Sequence, residues 1–127
     1  MVRESRRFRW ASFEYAWEGL RYLWRTQPNA RIHAVATGGV AGIALWLRIA
    51  PLGWAALSLA LGLVWMAEAF NTALEVAVDL CSPQPHPLAK ASKDAGAAAV
   101  LLAVLTAVAV GLAVLGPPLW VRLGLGG

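Results

Sequence analysis

Three long stretches without a charged residue constrain this chain more than any other feature of its sequence. They cover residues 34–47, 49–67 and 95–120, and they approach or exceed the roughly 20 apolar residues that a helix needs to cross the hydrocarbon core of a bilayer. Of the 127 residues, 59% are hydrophobic, a share that an ordinary soluble domain rarely reaches. The sequence therefore predicts one all-α membrane domain over 1–127, with transmembrane helices at 32–49, 52–80 and 94–116.

An amphipathic helix is predicted within residues 1–30, before the first span. Large apolar residues recur there at spacings of three and four, which places them on one face of a helix. They are Trp10, Phe13, Trp17, Leu20 and Trp24. This apolar stripe can insert into the membrane surface or pack on neighbouring helices, and the two arrangements are compatible.

The distribution of basic residues predicts the orientation in the membrane. Seven of the eleven precede the first span, so the positive-inside rule places the N-terminus in the cytoplasm. The expected location of the chain is the cytoplasmic (inner) membrane. Residues 81–93 then form a cytoplasmic loop, because Pro83, Pro85 and Pro87 end the second helix near residue 80. Ser92 is the predicted N-cap of the third span. The net charge of +4 thus indicates topology and contact with anionic lipid, not binding of nucleic acid.

Small residues recur at every fourth position along the first and third spans. Gly38 and Gly42 form one pair, and a small-residue row runs from Ala95 to Gly111. Such spacing lets helices approach closely in a membrane, although an abundance of alanine also produces pairs of this kind. Because three thin helices cannot enclose a water-filled site in lipid, we expect a homo-oligomer whose sites are lined by more than one copy.

Four of the seven acidic residues lie where the second span leaves the membrane: Glu68, Glu75, Asp79 and Asp94. The first three share an arc of about 100° with Asn71 and Thr72, and this polar stripe extends over roughly 16 Å of helix. Like carboxylates repel one another, so the stripe needs a countercharge from a divalent cation or a basic group.

Lys93 and a divalent cation would together supply that countercharge. Oxygen ligands favour Mg²⁺, and a lysine at the start of the third helix is placed to bind phosphate. These are the parts that phosphoryl transfer requires. Glu68, deepest in the membrane, is then the natural general base for a lipid hydroxyl, and Glu75 the ligand for a nucleotide-bound metal.

Three other interpretations of the polar stripe compete with a kinase. A solvated helix end with ordinary surface acids explains the stripe about equally well on spacing alone. A proton-coupled transporter could use Glu68 as an intramembrane carrier of protons, but it has no use for Lys93, Asp94, Glu75 and Asp79. A partner subunit without activity is disfavoured by the completeness of the polar set.

Two segments resemble the small prokaryotic diacylglycerol kinase and undecaprenol kinase family. They are EAFNTALEVAVDL at 68–80 and HPLAKASKDAGAAAVLL at 86–102, and the likeness extends to Arg-Ile-His at 31–33. The resemblance implies a homotrimeric bundle of three-helix protomers, with composite active sites at the cytoplasmic membrane surface. It also implies that ATP and Mg²⁺ serve to phosphorylate a lipid alcohol.

The same resemblance implies roles for individual residues, taken position by position. Glu68 is similar to the catalytic base, and Glu75 to a metal-binding carboxylate. The other active-site positions match Asn71, Asp79, Lys93 and Asp94. The resemblance also implies nucleotide contacts for Glu75, Asp79, Lys93 and Asp94. Four further residues resemble nucleotide-contacting positions of the family: Tyr15, Gln84, Pro85 and His86. His86 also fits an ordinary exposed loop histidine.

Gln27 is a departure from the family pattern. Relatives usually carry a second metal-binding glutamate there, whereas a glutamine can bind Mg²⁺ only through a neutral amide oxygen. We therefore expect weaker Mg²⁺ binding than in a relative with two glutamates. The residues of the two segments are more similar to the undecaprenol kinase branch, so undecaprenol is the expected substrate and diacylglycerol the alternative.

Overall fold

The protein consists of four α-helices joined by short connections. A computed structural model describes residues 2–125, with side chains over 11–125. The helices are α1 (Val2–Thr26), α2 (Pro28–Leu47), α3 (Pro51–Cys81) and α4 (Pro87–Arg122), and the described part of the chain contains no strand. The last three are long and apolar enough to cross a membrane. The predicted all-α membrane fold with three spanning helices is therefore confirmed.

Proline occupies the first position of each membrane helix. Pro28, Pro51 and Pro87 begin α2, α3 and α4, where the lack of an N–H breaks no hydrogen bond because the first donors of a helix have no partner inside it. Gln27 alone separates α1 from α2, with an extended backbone at φ −108° and ψ 110°. Arg48 ends α2 in the left-handed conformation, at φ 52°, and starts the turn into α3.

Helix α4 is longer than the predicted third span, 94–116, and extends beyond it at both ends. α4 begins at Pro87, because the His86 imidazole caps it: Nδ1 accepts a hydrogen bond from the Leu88 N–H at 3.2 Å. Ser92 therefore lies inside the helix and is not its N-cap, and the loop predicted over 81–93 is reduced to residues 82–86. At the other end α4 continues through Pro117 to Arg122.

α3 and α4 form an antiparallel pair in which two glycines lie close to side chains of the facing helix. A Cβ on Gly53 would lie 3.0 Å from Val114 Cγ1, and one on Gly96 would lie 2.3 Å from Asn71 Oδ1. These two contacts lie towards opposite ends of the pair, so the helices are in close contact along most of its length. The face that α3 buries comprises Leu57, Ala60, Val64, Glu68 and Thr72.

α2 is tied to this pair at its middle and near its C-terminal end. At the middle, the Trp65 indole N–H of α3 donates to Thr37 Oγ1 at 3.2 Å. Near the end of α2, the Arg122 guanidinium carbon lies 5.2 Å from the ring centroid of Trp46, a cation–π contact between α4 and α2. The three spanning helices therefore form one bundle.

Three residues of the apolar stripe of α1 have more than half of their surface exposed. Trp17 is 64% exposed, and Leu20 and Trp24 are each 51% exposed, while Leu23 next to them is buried. The side chain of Trp10 lies outside the described residues. The exposed surfaces of these three residues fit either of the two expected arrangements, insertion into the membrane surface or packing on helices of another copy.

Much of the molecular surface also lacks protein cover. Its solvent-accessible area is 9698 Å², whereas a compact soluble monomer of 13.5 kDa would expose about 6,500 Å². Ala103 is the buried member of the small-residue row, and Gly38 and Gly42 are exposed. These surfaces are available to lipid or to other copies of the chain.

Candidate active site

Glu68 is the most deeply buried polar side chain among the described residues, with 1% of its surface exposed. Helical rise places it about 26 Å along α3 from Pro51, close to the far edge of a hydrocarbon core that begins at the proline. The Thr72 hydroxyl, one turn later, donates a hydrogen bond to the Glu68 backbone carbonyl at 2.9 Å. This bond does not involve the Glu68 carboxylate. A buried carboxylate at this depth requires a partner or a function.

His33 of α2 faces the Glu68 carboxylate across the helix interface. Its Nε2 lies 3.7 Å from Glu68 Oε2, and each of these atoms is buried without a hydrogen bond in the described part of the chain. The His33 ring also meets the Trp65 ring edge to face, with centroids 6.4 Å apart. No role was predicted for His33 from the sequence, where its signals were a polar side chain near the start of an apolar helix and the family likeness at 31–33.

Asn71 and Glu75 form the next level of the polar stripe. Asn71 Nδ2 donates to Glu75 Oε1 at 3.1 Å, which orients a half-buried carboxylate. The amide oxygen of Asn71 is buried beside Gly96 and has no hydrogen-bond partner within the described residues. Both ends of this amide are thus held, one by a hydrogen bond and the other by close packing on α4.

An ion pair joins α3 to α4 at the outer end of the stripe. Lys93 Nζ lies 2.5 Å from Asp79 Oδ1, so Lys93 is the counterion that the acidic stripe predicted. Lys93 is well inside α4, however, and the helix dipole acts mainly within the first turn. Its value as a phosphate ligand therefore rests on its own charge. Lys90 pairs with Asp94 one turn along the same helix.

A pocket of about 710 Å³ surrounds these ion pairs and the loop between α3 and α4. It brings together six of the residues predicted to contact the nucleotide: Asp79, Gln84, Pro85, His86, Lys93 and Asp94. Ser82 and Lys90 also line it, although neither was predicted from the sequence. Lysine charges and loop hydroxyls are suited to a polyphosphate.

The remaining predicted residues lie outside this pocket. Glu68, Asn71 and Glu75 are deeper along the same face of α3, Tyr15 is 71% exposed on α1, and Gln27 is half-buried at the junction of α1 and α2. The chain therefore holds two groups of candidate site residues at different depths.

A metal ion bound by one protomer would have few protein ligands. Among the described residues, no three His, Cys, Asp or Glu side chains are grouped so as to hold a metal. Glu75 has one oxygen bonded to Asn71 and the other available. Mg²⁺ is commonly held by one or two carboxylates together with substrate phosphates and water, so Glu75 suits Mg²⁺ that arrives with a nucleotide.

An apolar groove of about 370 Å³ runs between α2, α3 and α4. His33 and Thr37 supply its polar lining, and Val64, one turn before Glu68, also lines it. The rest is aliphatic, and it extends to Leu119. The groove thus leads from the end of the bundle near Leu119 to His33, which faces the buried carboxylate.

Comparison with known proteins gives consistent matches. A family model described as prokaryotic diacylglycerol kinase matches residues 14–115. A diacylglycerol kinase of Synechocystis sp. is 47% identical over 109 residues, which are 85% of this chain and 62% of that protein. An undecaprenol kinase of Bacillus subtilis is 35% identical over 108 residues, 85% of this chain and 88% of the relative. A diacylglycerol kinase of Escherichia coli is 36% identical over 94 residues, 74% and 77% of the two chains.

Proposed function

Because the chain belongs to the prokaryotic diacylglycerol kinase family, we propose that it phosphorylates a membrane lipid alcohol with ATP and Mg²⁺. The family and the lipid-kinase class predicted from the sequence agree with the names of the relatives. The chain spans 62% of the length of the Synechocystis protein. The proposed activity therefore rests on the side chains of this chain's own site. The observation that carries the proposal is the single face of α3 that joins a buried carboxylate, Glu68, to a lysine-lined pocket at Asp79.

The reaction assigns one task to each level of the polar stripe. The Glu68 carboxylate accepts the proton of the lipid hydroxyl, the lipid oxygen forms a bond to the γ-phosphorus, and the bond from that phosphorus to the ADP oxygen breaks. Lys93 and Lys90 oppose the negative charge of the phosphates, and Asn71 orients Glu75. Asp79, Asp94, Tyr15 and residues 84–86 complete the proposed contacts with the nucleotide.

Bound Mg²⁺ would neutralise charge on the nucleotide phosphates, with Glu75 and the amide oxygen of Gln27 as its protein ligands. The lipid reaches the site from within the bilayer. The apolar groove that ends beside His33 provides a route of the right polarity for its hydrocarbon chain. Glu68 lies just beyond that end, on the same face as Val64.

The substrate is proposed to be undecaprenol, with diacylglycerol as the second candidate. The segments at 68–80 and 86–102 support undecaprenol, and a Bacillus subtilis relative bears the name undecaprenol kinase. The higher identity to a relative named diacylglycerol kinase supports the alternative. The groove is lined by generic aliphatic side chains that suit either hydrocarbon chain.

The decisive experiment gives purified protein labelled ATP and Mg²⁺ with undecaprenol and with diacylglycerol, side by side. We expect Glu68→Gln to lower kcat by about 100-fold or more, the usual contribution of a general base, while Glu18→Gln on the exposed part of α1 leaves it unchanged. A Glu68→Gln protein that still transferred phosphate at the original rate would overturn Glu68 as base and revive the transporter. Transfer to neither lipid would overturn the kinase.

We also propose that the active protein is a homotrimer in the cytoplasmic membrane, with its site on the cytoplasmic side. The exposed glycines of α2 and the large uncovered surface support assembly. Tyr15 and Gln27, which lie away from the pocket of their own protomer, would then act on the site of a neighbouring copy. Crosslinking in mild detergent that gave only monomer would contradict this assembly.

A further inference from the structure

We infer that His33 is a positioning residue for the proposed catalytic base, holding Glu68 Oε2 with its Nε2–H so that the other carboxylate oxygen faces the lipid hydroxyl. The inference rests on the proposed function, because it concerns the base of that reaction. It begins from two polar atoms that are both buried, both without a hydrogen bond in the described part of the chain, and 3.7 Å apart.

The chemistry of the two atoms determines which proton state fits. A carboxylate oxygen can only accept, so an unprotonated Nε2 would direct a second lone pair at it, whereas a protonated Nε2 donates to it. Leaving a buried acceptor without a donor costs more free energy than an ordinary hydrogen bond contributes on balance. The distance exceeds that of a formed bond, and hydrogen bonds of catalytic groups are often long before substrate binds.

The imidazole is held in place by a second contact between the same helices. The Trp65 ring packs edge-on against His33 at an interplanar angle of 70°. Trp65 is itself fixed, because its indole N–H donates to Thr37 Oγ1, one turn after His33 on α2. The direction of Nε2 towards Glu68 is therefore set by the packing of α2 on α3.

The other nearby cations have partners of their own. The Arg31 side chain donates from Nε to the Trp24 carbonyl at 3.3 Å, towards α1. Lys93 pairs with Asp79 and Lys90 with Asp94. Within the described residues, His33 is the one basic group in ion-pair contact with Glu68.

The kinetic test compares two substitutions that differ in their ability to donate. His33→Gln keeps an N–H near the position of Nε2, whereas His33→Leu keeps the bulk and removes the donor. We expect His33→Leu to lower kcat by about 10- to 100-fold, the loss typical of a misplaced catalytic group, with the KM for ATP changed by less than about twofold. His33→Gln should recover most of that kcat. Equal losses in the two variants, or an unchanged kcat in His33→Leu, would overturn the inference.

A double substitution separates this inference from the proposed function. If His33 acts through Glu68, His33→Leu should cause no further loss in a Glu68→Gln background, because contacting residues are not additive. A further loss as large as that in the wild-type background would overturn the positioning role. If Glu68→Gln alone retained full activity, the proposed base would fail first, whatever the result for His33.

Nitrogen NMR of the imidazoles provides a readout that does not depend on activity. The chain has two histidines, and His86 caps α4 in the exposed loop, which makes it an internal control. We expect Glu68→Gln to shift the His33 Nε2 signal and leave that of His86 unchanged. An unchanged His33 signal would show that the two side chains do not interact, and it would overturn the inference.

Discussion

Asn71 depends on the absence of a side chain on the facing helix. A Cβ at Gly96 would lie 2.3 Å from Asn71 Oδ1 and 3.1 Å from Leu74 Cδ2. The first distance is far inside van der Waals contact, so the amide would have to move. Since it ends a flexible side chain, it can rotate away at little cost to the fold, but it then loses its hydrogen bond to Glu75.

Gly96→Ala should therefore damage activity more than stability. We expect kcat to fall by about 10-fold or more, because groups misplaced by about an ångström lose much of their catalytic effect, while the unfolding midpoint in detergent changes little. Gly62→Ala is the matched control, since a Cβ there has no neighbour within 4 Å. Equal kcat values for the two variants would contradict a constrained amide at Asn71.

Gln27 offers a test of the proposed metal site. Gln27→Glu adds a negative charge to a ligand position, and Mg²⁺ affinity rises with the charge of its ligands. We expect half-maximal activity at a lower Mg²⁺ concentration than for the original chain. Asn29→Asp adds the same charge at an exposed position near the same junction and should leave the Mg²⁺ requirement unchanged. An unaltered requirement in Gln27→Glu would contradict a role for residue 27 in binding metal.

At the scale of the helices, a side-chain hydrogen bond joins α2 to α3 close to the facing pair of His33 and Glu68. Thr37 accepts from the Trp65 indole at 3.2 Å, and Trp65 in turn packs on His33. A Thr37→Val chain keeps the shape but leaves the indole N–H without a partner. The cost of an unsatisfied buried donor is about 1–3 kcal/mol.

Thr37→Val should accordingly lower the free energy of unfolding by about 1–3 kcal/mol, measured by reversible denaturation in mixed micelles. Thr106→Val is the control, because the Thr106 hydroxyl donates to Leu102 within its own helix and is exposed. It should change stability by less than about 0.5 kcal/mol. Equal effects of the two substitutions would argue against an inter-helix role for Thr37.

At the scale of the whole molecule, function requires that the pocket of α3 and α4 face the nucleotide. The excess of arginine before the first span predicts a cytoplasmic N-terminus, and the two crossings of α2 and α3 then place the end of α3 on the same side. Both lysines of the pocket lie on that side. An inverted chain would expose the pocket to a compartment without ATP.

Cys81 reports this orientation directly, since it is the single cysteine of the chain and lies exposed at the end of α3. We expect a membrane-impermeant maleimide to label it in inverted membrane vesicles and not in intact spheroplasts. Cys81→Ser should remove the signal. Labelling from outside intact spheroplasts would reverse the proposed topology.

The number of helices, the apolar stripe of α1 and the polar stripe of α3 could all be predicted from the sequence. Each depends on the spacing of residues along one helix, and a membrane rewards a long apolar run whatever surrounds it. The segments at 68–80 and 86–102 were likewise sufficient to predict the family. The start of α4 was missed because Ser92 is a common cap, while the cap in the structure is a histidine before a proline.

Only the tertiary structure could decide which carboxylate is buried and what faces it. His33 and Glu68 lie on different helices, as do Asn71 and Gly96, and each contact depends on how far one helix is rotated and shifted against the other. Periodicity gives the face of a helix but not the partner of that face. The acidic stripe was therefore predictable as a surface, whereas its division into a buried group at Glu68 and an ion-paired group at Asp79 follows from the packing of three helices.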